Sequence, residues 1–324
     1  MMKTVRLPGS DRMTTQLGFG CAFQPKTTEV QAHRVLQAAY DAGIRHFDVA
    51  PFYLDGRAEG YVGTFLEGRD DVTVTSKYGL RPPSARPLHI RAARTVLGPA
   101  VRALRARRPS PSGAPPRGPR TAKASYRPGD ARESLTRSLG LLRRDKLDLY
   151  LMHEPDAADL GRPGLLEFLE TEAAAGHIGA FGVGGHVLLL SEAYTGHREF
   201  FGVAQFNHDA LTNGPRFRDA FEIHYWVLTQ DFRGLVRHLI AHPEAAQRLS
   251  DSIGLDVGDP RVLSRLMLKA ALLDNPNGLV LIASTDPERI RQNAEVAADD
   301  SLAAPAARLI EAGASRVGGF ELAA

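Results

Sequence analysis

Short apolar runs, each ending in a polar residue or glycine, alternate along this 324-residue chain with longer segments of helical period. That alternation limits the fold more than any other feature, because parallel strands need a crossover of a dozen or more residues, usually a helix, to return to the same sheet. Candidate strands cover residues 17–20, 46–48, 72–77, 147–153, 180–183, 202–205, 223–228 and 279–282. Candidate helices cover 28–42, 60–66, 129–142, 164–175, 261–274 and 287–298. Their ends carry the expected chemistry: Thr28 with Gln31 makes a capping box, Gly43 stands just past a helix end, and Pro287 follows the N-cap Asp286. Eight strands with intervening helices fit a closed barrel, and a doubly wound open sheet gives a similar pattern.

Residues 81–127 break the repeat. They hold many Arg and Lys residues and no acidic residue, so the formal charge of +3 is concentrated there. Ile90, Ala93, Val96, Leu97, Val101 and Leu104 fall near one helical face, and residues 109–119 read as a loop. Two readings of this basic insertion stand side by side. One is recognition of an anionic substrate, an acidic partner or a membrane surface; the other is an ornamented surface loop. Nucleic acid is not an expected partner, since Tyr126 is the one aromatic residue there to stack on a base.

No second domain or internal repeat is visible, so the whole chain, 1–324, reads as one barrel carrying that insertion. The N-terminus lacks an apolar signal stretch and no run of about 18 apolar residues occurs, which makes a cytoplasmic protein the expectation. The single cysteine, Cys21, excludes an intramolecular disulfide and a cysteine-based zinc site. The histidines are scattered, and no metal site is expected.

In a parallel α/β protein the site is built where strands end. Three strands here end on chemistry: Gly43-Ile44-Arg45-His46-Phe47-Asp48 with Tyr53 five residues on, Val72-Thr73-Val74-Thr75-Ser76-Lys77, and Leu147 through His153. A phenol is a poor acid at pH 7, and an adjacent ammonium lowers its pKa by stabilising the phenolate. Lys77 would supply that charge, Asp48 would hold Lys77 protonated, and His153 would fix a substrate oxygen by a hydrogen bond. Together they make a carbonyl reducer.

The order Asp48, Tyr53, Lys77, His153, each at the end of a successive strand, resembles the aldo-keto reductases. The phrases GIRHFDVAPFY, VTVTSKYG, SLTRSLGLLRRDKLDLYLMHEPD and ASTDPERIRQN are similar to stretches of that family, nearest in character to its bacterial sugar dehydrogenase-like members. The resemblance implies a (β/α)8 TIM barrel that binds NADP(H) across its carboxyl end and transfers a hydride between nicotinamide and the carbonyl or alcohol of a small molecule. It also implies that Ser284, Arg289, Gln292 and Asn293 hold the adenosine phosphate, with Arg289 on the 2′-phosphate, and that Gln205 holds the nicotinamide carboxamide.

Three positions depart from the family pattern. Ala283 stands where many members have lysine, the run Gly182-Val183-Gly184-Gly185 replaces a Ser-Asn pair, and Leu228 stands near an aromatic stacking position that Tyr225 or Trp226 could fill. Glycine at Gly184 lets backbone approach the cofactor closely. The same departures motivate two alternatives: a non-redox lyase, dehydratase or epimerase on the same barrel, and a non-catalytic regulatory subunit.

Overall fold

The structure, a computed structural model, describes residues 1–80, 126–212, 214–228 and 230–314. Most of the basic insertion, including the helical face expected over 90–104 and the loop expected over 109–119, lies outside the described residues. Its last two residues, Tyr126 and Arg127, lie within them, and the Tyr126 ring is buried.

Ten strands are described. β1 (Thr4–Arg6) and β2 (Met13–Thr15) form an antiparallel hairpin. The others are β3 (Leu17–Gly20), β4 (His46–Asp48), β5 (Thr73–Tyr78), β6 (Leu147–His153) and β7 (Ile178–Gly185), then β8 (Val203–Asn207), β9 (Phe221–Tyr225) and β10 (Leu279–Ile282). These eight pair in parallel in chain order, and β10 closes on β3 through Val280 opposite Leu17 and Ile282 opposite Phe19. The chain is therefore a closed (β/α)8 barrel and not an open doubly wound sheet.

The period of two along each strand separates two cores. From β6, Leu149 and Leu151 point into the barrel, where they meet Val203, Ile223, Leu279 and Leu281, while Tyr150 and Met152 face the surrounding helices. Val5 and Leu7 join the interior cluster, so the hairpin plugs the end of the barrel at which the strands begin. Above the plug lies a polar layer: the His46 ring is fully buried and hydrogen-bonds Thr73 and Thr75 at 2.9 and 3.0 Å. Above that, inward residues at the strand ends are left for chemistry.

Local signals explain the outer helices. Thr28 and Gln31 form a reciprocal capping box on the helix Glu29–Asp41, and Gly43 follows it with φ +88°. Asp286 caps the helix Pro287–Ala298 with proline in its first turn. Elsewhere the structure corrects the boundaries. The strand expected over 223–228 stops at Tyr225, because Trp226 turns into the left-handed region at φ 60°. Residues 229–260, for which the sequence offered no candidate element, contain the helices Gln230–Ala241 and Pro243–Ile253. No helix among the described residues is long and apolar enough to cross a membrane.

Candidate active site

Parallel register brings the first two residues together: Asp48 ends β4 beside Thr75, and Lys77 lies one inward position further along β5. Both are essentially buried, with side chains 3% and 2% exposed, which requires the two charges to be paired. The Lys77 ammonium has three N–H groups and finds three acceptors: Asp48 Oδ1 at 2.6 Å, the Val49 carbonyl at 3.2 Å and the Tyr53 hydroxyl at 3.5 Å.

Tyr53 is returned over the strand end by a tight turn. Its N–H donates to the Ala50 carbonyl, and the next two residues, Leu54 and Asp55, are both left-handed at φ 52° and 59°. His153 ends β6, its ring edge-on to Tyr53 with centroids 6.1 Å apart and planes at 90°. Burial, and then the Lys77 charge, push the His153 imidazole down to about 3. It is neutral at physiological pH, able to donate one hydrogen bond and accept another.

The tyrosine behaves opposite to expectation. Burial and the nearby Asp48 carboxylate, with Cys21 and Glu154 adding to it, push the Tyr53 phenol well above its ordinary value. The charge expected to lower it is neutralised at close range, since Lys77 lies 2.6 Å from Asp48 and 3.5 Å from the phenol. Tyr53 therefore carries its proton in the unliganded protein but is a weaker acid there than a free phenol, so donation would depend on Lys77 stabilising the phenolate as the proton leaves.

Gln205 lies on the inward row of β8, and its amide Nε2 donates to Asp48 Oδ2 at 2.8 Å. Gly184 pairs with both His153 and Gln205, and a Cβ built on it would sit 3.1 Å from Gln205 Oε1. Asp48, Tyr53, Lys77, His153, Gly184 and Gln205 are thus one cluster. Tyr225 joins them from β9, donating its hydroxyl to the Gly185 carbonyl at 3.0 Å, whereas Trp226 is 59% exposed. Of the two aromatic substitutes expected from the sequence, the one inside the barrel is Tyr225.

Ser284, Arg289, Gln292 and Asn293 form a separate group around the start of the helix Pro287–Ala298. Ser284 accepts from the Asp286 N–H at 3.0 Å and Gln292 donates to Glu288 at 2.9 Å. Arg289, Gln292 and Asn293 share a face by their three- and four-residue spacing, and Arg289 is exposed and unpaired among the described residues. The N-terminal turn of this helix and a guanidinium are groups that could hold an anion, beside the capping Asp286 and Glu288 in the first turn.

Three features were not anticipated. Tyr126 donates its hydroxyl to the His153 carbonyl at 2.6 Å, and Gly79, at φ +115°, makes room for it because a Cβ there would lie 2.2 Å from that oxygen. The one available signal was its place as the lone aromatic in a long basic stretch. Cys21, fully buried, donates its N–H to the Asp48 carbonyl at 2.7 Å. His208, His224 and Asp274, distant in sequence, converge so that their ligand atoms lie within 4.8 Å of one another. A cation already serves that group: Arg216 lies 2.7 Å from Asp274 and bridges to Glu222, which also takes His224 at 3.1 Å.

Comparison with known proteins agrees with this geometry. The curated D-threo-aldose 1-dehydrogenase of a Pseudomonas species is 31% identical over 201 residues, a match covering 55% of this chain and 51% of that relative. The chain thus spans about half the length of this curated relative. Among solved structures, an aldo-keto reductase from Bacillus halodurans in its holo form superposes with a TM-score of 0.67 at 19% identity, covering 95% of this chain and 96% of that one. A glycerol dehydrogenase from Gluconobacter oxydans gives 0.65 at 18%, covering 97% and 95%. An aldo-keto reductase from Klebsiella pneumoniae in complex with NADPH gives 0.61 at 20%, covering 92% and 90%. These likenesses speak for the fold. The family model for aldo/keto reductases matches residues 16–193, more than half of the sequence and the part that carries Asp48, Tyr53, Lys77 and His153, so the chain belongs to the aldo/keto reductase family.

Proposed function

We propose that this protein is an NADP(H)-dependent oxidoreductase that interconverts the carbonyl and alcohol of a small molecule. The observation that carries the reading is the Lys77 ammonium held between Asp48 Oδ1 at 2.6 Å and the Tyr53 hydroxyl at 3.5 Å, with a neutral His153 ring against Tyr53. Bound nicotinamide supplies or accepts the hydride; the chain's own residues handle the proton. For reduction, Tyr53 donates to the carbonyl oxygen, and Lys77 stabilises the phenolate that results. His153, uncharged, orients that oxygen without competing as an acid. For oxidation the same path runs backwards, with the phenol's high affinity for a proton making Tyr53 a strong base once ionised.

The residues present fit a dinucleotide. Tyr225 offers an aromatic face and Gln205 a second N–H at the inner end, and Arg289 with the adjacent helix N-terminus offers a phosphate site at the outer end. The curated relative's name makes an aldose, oxidised at its first carbon, the leading substrate class. One specific observation favours a second reading: Gly184 gives no side-chain grip, and the Gln205 amide is engaged with Asp48. A lyase, dehydratase or epimerase would convert substrate with no change in nicotinamide absorbance.

The test is Tyr53→Phe. Removing a proton donor used only in the transition state is expected to cost turnover roughly 1,000-fold or more while leaving NADPH affinity within a few-fold. Retained turnover removes Tyr53 from the mechanism.

A further inference from the structure

We propose that Gln205 is a positioning residue of the proton-donor machinery: by donating to Asp48 it holds that carboxylate on Lys77, and position 184 is glycine so that it can. This rests on the oxidoreductase reading above. The Asp48 carboxylate is buried and, among the described residues, each of its oxygens has one side-chain donor, Lys77 on Oδ1 at 2.6 Å and Gln205 on Oδ2 at 2.8 Å. Two donors on opposite oxygens fix the plane of the carboxylate. A single donor would leave it free to rotate about its Cβ–Cγ bond, and Lys77 would move with it relative to Tyr53.

Gly184 lies directly beside this contact. A Cβ there would meet Gln205 Oε1 at 3.1 Å and Gln205 Cβ at 3.6 Å, so any longer side chain would enter the space the amide fills. The glycine run Gly182-Val183-Gly184-Gly185 is then a fitted pair with Gln205 and no decayed cofactor grip. Gln205 also keeps a second N–H, so it can meet a carboxamide without releasing Asp48. The other titratable groups that feel Asp48 are Tyr53, Cys21 and Tyr225, and Glu154 acts on the same two phenols. Lys77 in turn acts on His153.

The experiment uses the full chain with Gln205→Leu and Gly184→Ser. Loss of one hydrogen bond to a charged group corresponds to roughly 10- to 150-fold in kcat. Gln205→Leu is therefore expected to lower kcat at least about tenfold and to move the acid limb of the kcat profile to higher pH, with NADPH Kd changing by less. Gly184→Ser is expected to shift both readouts in the same direction. A Gln205→Leu variant that raises NADPH Kd and leaves kcat and its pH profile as in the parent overturns the proposal, since Gln205 would then act on cofactor alone. An unchanged Gly184→Ser profile overturns the part that concerns glycine.

A second readout needs no turnover and separates this proposal from the function it rests on. In the cofactor-free protein labelled with 15N-glutamine, the Gln205 side-chain amide resonances are expected to shift on Asp48→Asn. If they do not, the contact is absent and the proposal fails, whatever substrate the enzyme is found to use. If they shift while the parent shows no nicotinamide-linked activity, the oxidoreductase reading fails and the positioning contact stands.

Discussion

Replacing Lys77 with methionine tests the centre of the site without relying on a substrate. The substitution keeps length and volume but removes three hydrogen bonds and leaves the Asp48 carboxylate, 3% exposed, with Gln205 as its one remaining donor among the described residues. Breaking a buried ion pair by removing one partner costs about 3–5 kcal/mol. The unfolding entropy of a chain this long is roughly 0.7 kcal/mol per kelvin, so the melting temperature is expected to fall by about 4–7 °C. Adding Asp48→Asn removes the stranded charge while leaving Gln205 an oxygen to donate to, so the double variant should recover about 2 kcal/mol or more. Urea denaturation at pH 7 of the parent, both single variants and the double variant gives the coupling energy directly. A loss below about 1 kcal/mol for Lys77→Met, or a double variant that is less stable than Lys77→Met, refutes the argument that these charges are desolvated and mutually dependent.

Two further outcomes follow from the same geometry. His46 and His153 are both pushed down to about 3, chiefly by burial, from an ordinary 6.5. Between those values the unfolded chain binds protons that the folded one does not, so their contribution is complete above pH 6.5 and is lost as pH falls. Each adds a slope approaching 1.4 kcal/mol per pH unit below 6.5. Urea midpoints at pH 7, 6 and 5 should therefore decline steeply, and His46→Gln should flatten the decline; a flat profile for the parent would show that these rings take up protons in the folded state. Arg289→Ala removes the exposed guanidinium in the first turn of the helix Pro287–Ala298. NADPH binding should weaken roughly 10- to 100-fold with NADH binding unchanged, as fluorescence titration will show; equal weakening of both places Arg289 elsewhere than on a 2′-phosphate.

The barrel was legible because its strands end abruptly. Residues 17–20, 46–48, 147–153 and 279–282 are strands with the same bounds in sequence and structure, since each apolar run stops at a glycine, a charged or polar residue, or a turn. The clustering of Asp48, Tyr53, Lys77 and His153 was legible for the same reason: strand ends are where a barrel puts its chemistry. The hairpin of β1 and β2 was not, because Thr4-Val5-Arg6 and Met13-Thr14-Thr15 are mostly polar and no helical segment between them marks a crossover. The direction of the Tyr53 shift was not, because it is set first by the burial of the phenol and then by the Asp48 carboxylate, and neither depth nor distance is written in the sequence. Nor were the Gln205–Asp48, His208–Asp274 and Arg216–Asp274 contacts, whose partners lie 157, 66 and 58 residues apart.

Backbone strain marks the working end independently of any motif. Among the described residues five that are not glycine have positive φ, and four of them follow strands: Leu54 and Asp55 after β4, Glu154 after β6 and Trp226 after β9. Each costs of order 1–3 kcal/mol and persists only where surrounding structure over-determines it. What over-determines them is visible. Glu154 is pinned by its N–H on the Gly184 carbonyl while Tyr126 holds the carbonyl just before it, and Trp226 follows a tyrosine anchored on Gly185. The turn at Leu54 and Asp55 lies directly after the tyrosine that Lys77 holds. The strained turns are therefore tied to the same short set of backbone and side-chain atoms that fixes Tyr53, the Lys77 ammonium and the neutral His153 imidazole. A barrel wall of paired parallel strands supplies the rigidity to hold them, which is why four of the five gather where the strands end, the fifth, Arg143, being the left-handed cap of the helix Pro128–Leu142 at the other end.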